Sequence, residues 1–133
     1  MTVARFWRAI NQRYNLIGTK CETCGSVFLP SRNICPHCRR KGKIIPYKCS
    51  GNGKIITYTV VHSTSVQYSM MKPYVLAIIE LDEGARLTSQ IVCDDINKIH
   101  IGMRVHSVFR VLGTDGSDGI IHYGTKFMPD DPV

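Results

Sequence analysis

The chain has 133 residues, 44% of them hydrophobic, with seventeen Lys and Arg against ten Asp and Glu, a formal net charge of +7. That length accommodates one domain, or a small domain with an appended module. No apolar run reaches the roughly 20 residues that a membrane-spanning helix needs, and no long apolar stretch with a cleavage site opens the chain, so a cytoplasmic protein is expected.

The charge is unevenly spread. Residues 1 to 54 hold eleven basic residues against Glu22 alone, a formal +10, whereas residues 55 to 133 hold six against nine, a formal −3. A basic first part calls for an anionic partner: nucleic acid, a phosphorylated cofactor or an acidic protein surface. A merely solvated basic face is the plainer alternative.

In chain order, VARFWRAINQRYNLIG places Phe6, Ile10, Tyr14 and Ile17 at helical steps with Arg5, Arg8, Asn11, Gln12 and Arg13 between them. This predicts an N-terminal helical segment over residues 1–19, stopping near Gly18. Trp7 beside Phe6 widens the apolar face, which either packs on the body of the protein or docks into a partner.

KCETCGSVFLPSRNICPHCRR follows. Cys21 and Cys24 form one Cys-x-x-Cys pair, and Cys35 and Cys38 another. Two such turns facing each other complete a tetrahedral sulfur site that suits zinc, at about 2.3 Å per bond. Iron fits the same sulfur geometry. Disulfides would require an oxidising compartment, and a thioredoxin-like motif needs one pair only. His37 lies within the second pair, but four sulfurs already fill the shell, so the metal is expected to be structural. The ribbon is expected over residues 20–48, with metal taking the place of a hydrophobic core.

From Cys49 the pattern changes to strands: GNGKIITYTVVH, YVLAIIEL, ARLTSQIV, MRVHSVFRV and IIHYGTKF. A short helical turn capped by Asp94 or Asp95 is expected between the third and fourth, and MPDDPV reads as a frayed tail. Five antiparallel strands with that interruption predict a mainly β protein in which residues 49–133 form a five-stranded OB-fold barrel. A simple sheet packed on the N-terminal helix is the competing architecture. Cys49 and Cys93 read as buried space-fillers.

A zinc ribbon joined to such a barrel invites a single-stranded nucleic-acid-binding reading, with Tyr58, Tyr74, Phe109, Tyr123 and Phe127 on strands and Tyr68 on a loop as stacking platforms. The strand part is net acidic, however, and alternate residues of barrel strands point inward, so nucleic acid is not the expected partner. His62, His100, His106 and His122 have no nucleophile or metal partner at recognisable spacing, and no phosphate-loop or dinucleotide signature appears. The chain reads as non-catalytic by itself.

The ordered motifs FWR…RYNLIGTKCETCG, VFLPSRNICPHC, GNGKIITYTVVH, YVLAIIELDEGARLTSQIV, IGMRVHSVFR and YGTKF resemble the domain of unknown function 35 family over about residues 6–127. The resemblance implies an N-terminal helical segment, a rubredoxin-like zinc ribbon and an OB-fold. It also implies association with thiolase-type acyl-CoA enzymes. The sequence is similar to archaeal members that hold an acetoacetyl-CoA thiolase and a hydroxymethylglutaryl-CoA synthase in one complex of the mevalonate pathway. Under that resemblance, Arg39, Arg40, Lys41 and Lys43 beside the second knuckle are expected to meet the phosphates of a coenzyme A or acyl-CoA held at a partner interface. Phe6, Trp7, Tyr68, Met70 and Met71 are the expected partner contacts, the methionines because they repack readily.

Overall fold

The computed structural model describes residues 3–130. Two short helices, α1 (Val3–Arg8) and α2 (Ile10–Asn15), lead into a three-stranded sheet of β1 (Ile17–Cys21), β2 (Val27–Phe28) and β3 (Ile44–Lys48), ordered β2-β1-β3. Five further strands, β4 (Asn52–Val61), β5 (Tyr74–Leu81), β6 (Arg86–Ile91), β7 (Arg104–Thr114) and β8 (Ile121–Pro129), close into a barrel ordered β4-β5-β6-β8-β7. That order is the five-stranded Greek-key barrel of the OB-fold; the simple sheet is not formed.

The single helix expected at the N-terminus is two. Ala9 leaves the helical region (φ −98°, ψ 11°), and Leu16 turns left-handed (φ 52°, ψ 45°), with the cap amide bonded to the Gln12 carbonyl. Ile17 therefore leaves the helix face and starts β1, where Ile17 to Cys21 pair with Lys48 to Ile44. An uninterrupted strand ladder with a β-branched residue at its start outweighs one more helical turn. Gly18 is not a helix stop. A Cβ there would collide with the Phe28 carbonyl oxygen, so glycine permits the close approach of β1 and β2. Trp7 does not share the buried face with Phe6: Phe6 is 1% exposed and Trp7 65%.

The barrel core follows the alternation of β5, in which Val75, Ala77, Ile79 and Leu81 are buried and meet Ile55, Ile91, Val105 and Phe127. Leu16 and Cys49 join this core, and Val27, Leu29 and Tyr47 of the ribbon pack against it. The ribbon is thus seated on the barrel through shared apolar contacts. Cys93 is only partly buried. Between β6 and β7 a 3₁₀ turn, Ile96–Lys98, is capped by Asp95, whose carboxylate accepts the Asn97 amide at 3.0 Å. The loop before β5 contains another 3₁₀ turn, Val66–Met71.

The expected frayed tail is also corrected. Met128 and Pro129 belong to β8, Pro129 is buried, and the Asp130 amide donates to the Arg104 carbonyl. Asp131, Pro132 and Val133 lie outside the described residues, as do Met1 and Thr2.

Candidate metal centre and partner-facing surface

Cys21 ends β1 and Cys24 lies in the turn that follows, which the Gly25 amide closes on the Cys21 carbonyl at 2.8 Å. The second knuckle is built alike: the Arg39 amide donates to the Cys35 carbonyl at 2.8 Å and Lys41 to Cys38 at 3.1 Å. Arg39 sits at a positive φ of 54°. The four sulfurs lie within 4.8 Å of one another, with Cys24 and Cys35 at 3.5 Å. A tetrahedron with bonds of about 2.3 Å has edges of about 3.8 Å, so the cluster has the dimensions of a four-thiolate zinc site.

Electrostatics agree. Hydrogen bonds from the side chain and backbone of Ser26 bring the Cys24 thiol down to about 6, and the Cys21 thiol is also lowered, chiefly by the Cys24 backbone. Cys38 is pushed up to about 12, first by burial and then by the neighbouring sulfurs of Cys24 and Cys21. Four packed sulfurs cannot all ionise unaided, and a divalent cation supplies the missing charge. Cys38 also donates its amide to the Cys35 sulfur at 3.5 Å. His37 is not part of the cluster and stacks on Phe28, centroids 6.5 Å apart. With four protein sulfurs filling the shell, the metal holds the ribbon together and has no open position for substrate.

Gly42 belongs to this centre although its sequence context gives no warning. A Cβ there would stand 2.9 Å from the Cys38 Cβ and 3.1 Å from both the Cys21 sulfur and the Cys35 Cβ. The only signal available was a glycine four residues past the last ligand.

Arg39, Arg40, Lys41 and Lys43 all lie exposed on the knuckle. Lys43 makes an ion pair with Glu22 at 3.3 Å, and the other three make none among the described residues. Of the five expected partner contacts, three come together and Trp7 and Met70 do not line the same cavity. Phe6, Tyr68 and Met71 line one cavity of about 490 Å³, together with Arg13, Leu112 and His122. Met70, on the same 3₁₀ turn, is 96% exposed. Phe6 itself is buried, edge-on to His122 at 4.5 Å and under the Arg13 guanidinium at 5.4 Å, so it anchors the helices and forms a wall of the cavity.

The strand aromatics are engaged within the fold, Tyr74 against Tyr68 with centroids 6.3 Å apart. Phe127 is core, Tyr58 packs against that core, and the exposed Phe109 is already stacked on Tyr123 at 5.2 Å and met edge-on by Tyr14.

A four-cysteine ribbon seated on a barrel of this strand order places the protein among zinc-ribbon/OB-fold proteins. Residues 9–43 match the family described as "ChsH2, rubredoxin-like zinc ribbon domain", and residues 47–110 match "ChsH2, C-terminal OB-fold domain". A "DUF35 domain-containing scaffold protein" of Methanocaldococcus jannaschii is 53% identical over 127 residues, covering 96% of this chain and 90% of the relative. A "probable enoyl-CoA hydratase alpha subunit" of Thermomonospora curvata is 33% identical over 102 residues, covering 75% of this chain but 31% of that larger protein. Among solved structures, a chain of an "Ltp2-ChsH2(DUF35) aldolase" superposes with a TM-score of 0.70 at 29% identity, covering 95% of this chain and 92% of that one. The chain belongs to the DUF35 family.

Proposed function

We propose that this protein is a non-catalytic scaffold that bridges acyl-CoA enzymes, an acetoacetyl-CoA thiolase and a hydroxymethylglutaryl-CoA synthase, and so supports transfer of acetoacetyl-CoA in the mevalonate pathway. The observation that carries the reading is the convergence of Tyr68, Met71 and Phe6 on one cavity, with Met70 exposed on the same 3₁₀ turn and Trp7 exposed on α1. The exposed Tyr68, Met70 and Met71 on one turn beside that cavity have the adaptable and aromatic character of a docking surface. The names of its relatives support it: one is called a scaffold, one a hydratase subunit, and one forms part of an aldolase. In the same reading, Arg39, Arg40, Lys41 and Lys43 lie on a metal-stiffened knuckle and meet the phosphates of a coenzyme A bound in a partner.

The test is affinity purification of the tagged protein from its native host, with and without nuclease, followed by mass spectrometry and absorbance at 260 nm. Thiolase and synthase chains are expected in near-stoichiometric amounts, and the paired change Trp7→Ala with Met70→Ala is expected to deplete them while zinc content stays constant. Recovery of nucleic acid without the enzymes would overturn the scaffold reading. Nucleic-acid binding would also weaken with salt at a log–log slope of about −0.9 per duplex phosphate neutralised.

A further inference from the structure

The barrel closes between β4 and β7 over a short distance only. Asn52, Gly53 and Lys54 pair with His106, Val105 and Arg104, and the Ser107 amide reaches the Gly51 carbonyl at 2.8 Å. Beyond that point β7 pairs with β8 alone, through a register shift between Val111 and Gly113. From Val108 to Thr114, the edge of β7 that turns away from β8 has no main-chain partner among the described residues. Edge strands of this length are normally blunted or covered. This one instead exposes Phe109, Val111 and Leu112. Across from it, Tyr68 and Met71 share a cavity wall with Leu112, Gly113 and Thr114.

The same stretch holds cations without anions. Lys126, directly opposite Val108 on β8, is only 8% exposed, and it makes no hydrogen bond or ion pair among the described residues. Arg110, on the same side of the ladder, spends one nitrogen on the Phe109 carbonyl at 3.0 Å and has no carboxylate partner among the described residues. Burial and the nearby Arg110 both lower the Lys126 pKa. The two cations repel each other, and a carboxylate brought from outside between them relieves that repulsion. Asp115, the acid at the end of this strand, is held by His122 at 3.0 Å.

We infer that the open edge of β7, Val108–Thr114, is the docking strand for an extended acidic segment of a partner enzyme, which adds to the sheet through main-chain hydrogen bonds and brings a carboxylate to Lys126 and Arg110. The inference rests on the scaffold reading. Strand addition takes its affinity from the main chain and its specificity from alternate side chains. Here one row of partner side chains faces the cavity lined by Tyr68, Met71 and Leu112, and the carboxylate supplies the missing charge. Pairing of two copies of this chain along the same edge is disfavoured, because it brings Arg110 against a second cationic strand.

The test compares amide hydrogen exchange in the isolated protein and in the native complex, both at full length. Edge amides between Val108 and Thr114 are expected to exchange rapidly in isolation and to become protected in the complex. In addition, Arg110→Glu is expected to weaken enzyme capture by about tenfold or more with thermal stability unchanged. A recovered complex in which these amides stay open, or in which Arg110→Glu binds normally, overturns the docking strand and leaves the scaffold standing. Amides already protected in an isolated protein that sediments as a dimer assign the edge to a second copy and overturn the partner assignment. Failure to recover any acyl-CoA enzyme overturns both readings.

Discussion

Gly42 has no unusual backbone angle, and its importance lies wholly in what surrounds it. Its missing Cβ lets the turn leading into β3 pass against Cys38, Cys35 and Cys21. Gly42→Ala is expected to push the second knuckle outward, costing about 1–3 kcal/mol as overpacking does. Lower zinc affinity in a chelator competition and a lower melting temperature check this. Gly25 faces open space but lies at φ 75°, so Gly25→Ala acts through backbone strain and not through the sulfurs. The metal ligands were legible because two Cys-x-x-Cys pairs impose a geometry of their own. Gly42 was not, because its role is a contact between segments that no local pattern encodes. The same reason hid the difference between Phe127 and Phe109. Both occupy strands with alternating residues, yet one is core and the other half exposed, because Phe109 lies beyond the point where β7 parts from β4.

At the level of elements, the N-terminal helices are held by little. Phe6 is the buried residue of α1, and α2 contributes none. Tyr14 completes the attachment by meeting Phe109 at 5.1 Å and Tyr123 at 6.2 Å. Phe6→Ala is expected to release α1 from His122, with faster amide exchange over residues 3–15 while the amides of β5 remain protected. Across the barrel, Arg104 forks onto both oxygens of Asp82, at 2.8 and 3.1 Å, tying β7 to the β5–β6 turn. Asp82 is held below its ordinary value by hydrogen bonding to Arg104. A carboxylate depressed in the folded state adds stability above its unfolded pKa and loses it as pH falls through the folded value. On acidification from about pH 5 to about pH 3, the melting temperature of Asp82→Asn is therefore expected to fall less than that of the unaltered protein. Most strands were legible from β-branched alternation. The break at Ala9 and the turn at Leu16 were not, because the helical spacing of Phe6, Ile10, Tyr14 and Ile17 continues into a segment whose backbone is claimed by β3.

For the whole molecule, ribbon and barrel share apolar packing through Leu16, Val27, Leu29 and Tyr47, but the ribbon has no core comparable to that of the barrel. Chelation is expected to unfold residues 17–48, while the barrel keeps its β-sheet circular dichroism and melts at a lower temperature because that packing is lost. Simultaneous loss of both signals on chelation would show instead that the two parts fold as one unit. Where the ribbon leaves and rejoins the rest of the chain, Ile17 is paired with Lys48, and the Cys49 amide donates to the Leu16 carbonyl at 3.1 Å. The ribbon is therefore a detour whose entrance and exit touch. A detour of that kind can be shortened, exchanged or stripped of its metal ligands by changes confined to its own stretch of gene, and a short splice from Leu16 to Cys49 suffices to reconnect helices and barrel. Ribbon and barrel are in that sense free to diverge at different rates within one chain.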